Sequence, residues 1–343
     1  MRKFPTRFPF VAIGAAALAL AVSSAAFAGE SSAKSAASLT VEKVAAPVAV
    51  SHSDNVASWV ISEGATPVLR YNYATVALPE GYYKSLHKSN RRYAVARSNY
   101  IHPLYDLEGK EITADWNRDH PHHRGIYWAW PEVICKSSAG KPTDLHALQE
   151  IFARPTGKLE TIQNADGSLS LTAENLWFWK NKEAVVTELV KITVFPRSAN
   201  ERKINLEFHF TALQHGVTIA RRQTKHYGGL NIRMAKLPKW KSFSFPAKKT
   251  AAPAPAWTGA SWERAGTNTR SEFVVFENAA NPDYPGDFIT YPNLNWFQPT
   301  FPAHGKRFPL KKDETLVLRY QLWINNGASS DEQKKQRWEQ AQR

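Results

Sequence analysis

The segment Asp119–Trp130, DHPHHRGIYWAW, concentrates groups that can do chemistry. His120, His122 and His123 lie between Asp119 and Arg124, and Tyr127, Trp128 and Trp130 follow at once. An imidazole titrates near neutral pH, so it can give or take a proton under ordinary conditions. An adjacent guanidinium can hold a carboxylate or a developing oxyanion. His-x-His spacing on a strand also puts two imidazoles on one face, a donor set that suits copper, zinc or iron. A site built on His120 and His122 would need a third ligand from His102, His226 or a carboxylate. A third alternative is structural, with stacked His and Arg side chains bridging loops. Four ionisable groups beside two tryptophans favour acid–base or electrostatic chemistry, and that reading assigns no metal and no cofactor.

In an extended segment Arg118, His120, His122 and Arg124 share a face, continued by Ile126, Trp128 and Trp130. Asn117, Asp119, His123 and Tyr127 point the other way. Pro121 cannot donate to a ladder, which predicts an edge, a bulge or a loop entering a strand, with Gly125 permitting a bend. On this geometry the three histidines serve one centre only if Pro121 distorts the strand. Tryptophan faces beside polar groups suit sugars, whose C–H faces are apolar and whose edges form hydrogen bonds, but tryptophan also fills cores. The pairs Trp128/Trp130 and Trp177/Trp179 each line one sheet face, and one of those faces can equally be core.

The elements that must position these groups read as strands. KINLEFHFTAL places Ile204, Leu206, Phe208 and Phe210 on one face, and TLVLRYQLWI does the same with Leu316, Leu318, Tyr320 and Leu322. SLSLTAENLWFW, EAVVTELVKITVF, PVLRYNYATV and EFVVFEN are further candidates, separated by the turn signals NADGS, PRSAN, HYGGL, NPDYPGD and NNGASS. The fold class is therefore all-β, a large antiparallel β-sandwich forming one domain over 39–328. A Pro/Ala loop runs from Phe245 to Trp257, and a helix is expected over 329–343, starting near Ser330-Asp331.

The 343-residue chain opens with a basic head (Arg2, Lys3, Arg7), an apolar run over Pro9–Val22 and the small-x-small pattern Ala26-Phe27-Ala28. This is the layout of a signal peptide over 1–28, cleaved near Ala28, with a Ser/Ala-rich spacer over 29–38. Its apolar run is short for a membrane span. No later stretch is apolar enough to span, so a periplasmic or secreted protein with no membrane partner is expected. The single cysteine, Cys135, permits no internal disulfide and reads as a small buried apolar residue. Removing Arg2, Lys3 and Arg7 lowers the formal charge from +14 to +11. A basic surface favours anionic partners. Export and the lack of long Lys/Arg runs argue against nucleic acid, leaving an acidic or sulfated carbohydrate.

Arg97–Trp130, RSNYIHPLYDLEGKEITADWNRDHPHHRGIYWAW, resembles a bacterial family of unknown function whose members are labelled methane oxygenase PmoA. The match includes its Pro-Leu, its Gly and its D-x-P-H-H-R-G run. A methane-oxidising subunit would span a membrane, which this chain has no segment to do. VVTELVKITV is similar to the family's central Glu-bearing strand, here with Glu188. TKHYGGLNIRM is similar to its Gly-rich turn ending in an arginine, here Arg233, although His226-Tyr227 departs from the pattern. The resemblance extends over most of Tyr71–Gly327. It implies a supersandwich like those of aldose epimerases and polysaccharide lyases, in which a concave sheet face holds a sugar. With it, His122 or His123 is expected as general acid/base and Asp119 or Glu188 as its orienting or second acid/base group. Arg124 and Arg233 are expected to grip a carboxylate. Trp128 and Trp130 would flank the sugar, while Arg118, His120 and His226 add contacts. The expected activity is that of a lyase or hydrolase, with an epimerase, a non-catalytic glycan-binding protein and a His-coordinated metalloenzyme as alternatives.

Overall fold

A computed structural model of the protein describes residues 38–44, 58–246 and 254–343. The expected signal peptide and all but the last residue of the spacer lie outside these residues, as does the middle of the Pro/Ala loop, 247–253.

The predicted period-two alternation becomes layers. Along Glu201–Ala212 every second side chain is buried, and Thr315–Asn326 pairs with it antiparallel, Phe208 facing Leu318 and Phe210 facing Leu316. These two strands sit at the middle of an eight-stranded antiparallel sheet that also holds Leu169–Trp179 and Glu183–Val194. A second eight-stranded sheet brings Tyr100–Leu104, Ile126–Ala129, Gly229–Arg233 and Trp296–Pro299 side by side. Inner faces of the two sheets meet in one apolar core, where the Trp128 ring lies 4.2 Å from Phe208 and Trp130 lies 5.2 Å from Phe210. The protein is thus an all-β sandwich with a C-terminal helix, Asp331–Ala341. That helix begins in a capping box, Ser330 accepting from the Gln333 amide and Gln333 accepting from Ser330. Short helical turns occur elsewhere too, and one of them, Lys88–Tyr93, becomes part of the site. Cys135 is buried as expected.

His102, on the strand Tyr100–Leu104, bonds to Thr113 Oγ1 at 3.1 Å and lies 3.5 Å from Glu111. Burial pushes its imidazole down to about 4, the nearby carboxylate of Asp115 opposing this only in part. The unfolded chain binds this proton near pH 6.5 and the folded chain only near 4. Stability from this group is therefore complete above about pH 6.5 and is lost as pH falls towards 4, by at most about 1.4 kcal/mol per pH unit. His102→Asn is expected to flatten that part of the curve of denaturation midpoint against pH. An unchanged slope between pH 6.5 and 4 would contradict this assignment.

Candidate functional site

The histidine-rich stretch is a turn and not a strand. Pro121 occupies the second position of a four-residue turn in which the His123 amide donates to the His120 carbonyl at 3.0 Å. The alternation expected for an extended segment therefore starts only at Ile126. The turn gathers all three imidazoles: His122 and His123 ring centres are 4.5 Å apart, and His120 stacks on His123 at 4.7 Å. Gly125 ends it with φ +56°, where a Cβ would fall 2.2 Å from the Ile101 carbonyl oxygen, so only glycine fits this return to the sheet.

A fourth imidazole comes from a distant turn. Asp144 accepts the Ala147 amide at 2.8 Å and closes the loop carrying His146 by backbone bonds to Gln149. Arg97, buried with its guanidinium 4.7 Å above the Tyr127 ring, donates to the carbonyls of Leu145 and His146. The His146 ring centre lies 5.2 Å from that of His122 and 5.5 Å from that of His123. Its Nε2 bonds to Tyr127 Oη at 3.0 Å and Asn231 Oδ1 at 3.2 Å.

His120, His122 and His123 line a cleft of about 320 Å³ on the outer face of the second sheet, and His146 packs against His122 and His123 beside it. That volume is at the small end of small-molecule sites, which run to about 1,000 Å³. Aromatic walls dominate. Tyr93 comes from the turn Lys88–Tyr93, Tyr227 from the loop before Gly229, Tyr291 from the edge strand Phe288–Tyr291 and Trp296 from the strand beside it. Trp296 stacks on His123 at 5.3 Å, nearly parallel at 17°. Arg222 also lines the cleft, ion-paired to Asp144 and with its Nε 3.4 Å from Tyr227 Oη. At the mouth, Asp119 faces His120 Nδ1 at 3.3 Å and takes two bonds from Arg233 Nη2, at 3.0 and 3.1 Å.

Charge states follow from these surroundings. Burial first, then the positive groups around them, hold His122, His123 and His146 well below the usual imidazole range, so all three are neutral at ordinary pH. Partial burial pulls the Asp119 carboxyl up, but its hydrogen bonds from Arg233 and the charge of that arginine outweigh this and hold it below the usual range. Asp119 is thus an ionised carboxylate.

Of the expected site residues, Asp119, His120, His122 and His123 line the cleft, and Arg233 stands directly behind Asp119. The others do not assemble there. Glu188 is 0% exposed between the sheets, its carboxylate bonded by Asn99, Trp128 and Trp177. This corrects its expected acid/base role, because no substrate reaches that oxygen pair. Trp128 and Trp130 point into the core for the same reason that Tyr127 points into the site: neighbours on a strand face opposite ways. They cannot flank a sugar. Arg124 is 0% exposed, paired with Asp115, bonded to Tyr100 Oη at 2.6 Å and packed over the Trp116 ring, so its guanidinium is engaged away from the cleft. Arg118 and His226 are exposed and do not line the cleft, although Tyr227, the neighbour of His226, does.

The match that decides the family spans Ser58 to Glu339. The chain belongs to the family of unknown function DUF6807. No curated protein matches it. In this DUF6807 chain, His146, Arg222, Tyr93, Tyr227, Tyr291 and Trp296 are site residues that sequence reasoning missed. Only weak local signals exist for them. Asp144 three residues before Ala147 is a turn signature that fixes the backbone around His146, and Tyr227 stands in the turn HYGGL.

Proposed function

We propose that the protein is an exported enzyme acting on a sugar or small acidic oligosaccharide, by acid–base cleavage of the lyase or hydrolase type. The observation that carries this reading is the composition of the cleft: aromatic walls from Tyr93, Tyr227, Tyr291 and Trp296 around a half-exposed Arg222 paired with Asp144, with an ionised carboxylate at the mouth. Aromatic faces match the C–H faces of a sugar ring, and a small cleft accommodates one or two rings. Arg222 faces a carboxylate or sulfate on the sugar. Asp119, positioned by Arg233, is the proton acceptor. The Tyr227 hydroxyl accepts from Arg222, which leaves its own hydrogen free to donate to a leaving or ring oxygen. His122, His123 and His146 are neutral and buried, so they serve as neutral donors and acceptors and not as the acid. The pattern of an export signal over 1–28, the basic surface and the likeness of Arg97–Trp130 to PmoA-labelled proteins with a lyase-like supersandwich support the same reading.

The test is a panel of neutral, uronate-bearing and sulfated oligosaccharides incubated with the full-length mature protein. New absorbance from an unsaturated uronate marks elimination, and new reducing ends without it mark hydrolysis. Either is expected to fall by at least 10-fold in Arg222→Gln, chiefly through KM, for an acidic substrate. Binding of a glycan with no turnover across the panel would replace this reading with that of a glycan-binding protein. Neither binding nor turnover would sink it.

A further inference from the structure

We infer that His122, His123 and His146 form a binding site for a divalent transition metal of the zinc type beside the cleft, into which His122 and His123 face. The donor atoms of the three side chains lie within 4.8 Å of one another. Ring placement agrees with convergence on a single ion. With a metal–nitrogen distance of about 2.1 Å, ring centres sit about 3.2 Å from the metal, and angles of about 90–120° separate them by about 4.5–5.5 Å. The three observed separations are 4.5, 5.2 and 5.5 Å, with ring planes 65–88° apart. A bound metal draws donor nitrogens to about 3–3.6 Å from each other, which small χ rotations of these rings supply.

A second observation is independent of this spacing. The Nδ1 atoms of His122, His123 and His146 are buried without a hydrogen-bond partner among the described residues. Buried imidazole nitrogens are ordinarily satisfied, so three such atoms in one cluster point to a ligand. The tautomer of His146 follows from what lies behind it. Asn231 donates its amide to the Gly229 carbonyl at 2.8 Å and accepts from Gln298 Nε2 at 3.1 Å, which fixes its oxygen towards His146 Nε2. That oxygen can only accept, so its 3.2 Å contact with Nε2 is a hydrogen bond when Nε2 carries the hydrogen, and Nδ1 then presents its lone pair. An outer-layer acceptor orienting one ring nitrogen so that the other can bind metal is a recurrent feature of histidine metal sites. Neutral imidazoles are the ligand form, and three of them leave one position for water or substrate. Arg97 and Arg222 add positive charge nearby, which favours an anion in that position.

The site stands whether or not the cleft takes a sugar. The test uses mature protein purified without a histidine tag, stripped by a chelator and dialysed against Zn²⁺ alone. One zinc per chain is expected. His122→Gln and His146→Gln should each weaken binding by at least about 100-fold, and Asn231→Leu by about 10- to 100-fold. His226→Gln should bind as the unaltered protein does. Substitution by Co²⁺ should give the visible bands of a four- or five-coordinate nitrogen site. That spectrum needs no variant and decides the matter if a variant fails to fold. Absence of stoichiometric zinc, an octahedral cobalt spectrum, or full binding retained by both folded ligand variants would overturn the inference.

Discussion

Asp119→Asn is expected to lower kcat/KM on the identified glycan by about 10²- to 10⁴-fold while leaving the fold in place. The carboxamide has the shape of the carboxylate, keeps one oxygen for Arg233 Nη2 and loses the charge that makes it a proton acceptor. The residue is half-exposed, so its ion pair with Arg233 contributes at most about 1 kcal/mol to stability. Loss of activity without loss of stability separates chemistry from folding. Arg233→Met should reproduce part of the defect, because Asp119 then loses its positioning bonds and the charge that keeps it ionised. Arg233→Met should also shift the acidic limb of the pH–rate profile upwards, a change that a packing defect would not produce. Turnover by Asp119→Asn within a few-fold of the unaltered protein would rule this carboxylate out as the base.

The strands that build the sandwich were legible because alternation is local. Ile204 to Phe210 and Leu316 to Leu322 bury on the faces their spacing implies. The capping residue Ser330 likewise announces the last helix. The turn His120–His123 was half legible: Pro121 excluded a regular strand, but its conformation decides whether three histidines share a centre. The remaining site was not legible because antiparallel pairing assembles it across the sequence. Gly229–Arg233 pairs on one side with Ile126–Ala129, setting Asn231 opposite Tyr127, and on the other with Trp296–Pro299, setting Arg233 opposite Trp296. No local pattern encodes that register. Glu188 misled for a different reason. A charged residue in a β strand reads as functional, yet Val186, Glu188, Val190 and Ile192 alternate together and are all buried. Its place in an apolar row marks it as core, as the i, i+2 spacing does for Trp128 and Trp130.

That placement makes Glu188 the residue whose loss should cost the fold most. Its Oε1 accepts from Asn99 Nδ2 at 2.6 Å and from Trp128 Nε1, and its Oε2 accepts from Trp177 Nε1. Trp128 belongs to one sheet and Trp177 to the other, so a single carboxylate ties the two layers together at the centre of the sandwich. Burial pushes its carboxyl above the usual range, the three donors offsetting this in part. Glu188→Leu fills the space but strands three buried N–H donors, for an expected loss of about 3–5 kcal/mol. Glu188→Gln keeps one oxygen and turns an amide N–H₂ towards a tryptophan donor, for about 1–3 kcal/mol. Chemical denaturation should show both as falls in the midpoint with an unchanged slope. The folded fraction of Glu188→Gln should turn over substrate normally, since this side chain does not reach the cleft. A variant of native stability that had lost activity would return Glu188 to the chemistry and remove it from the architecture.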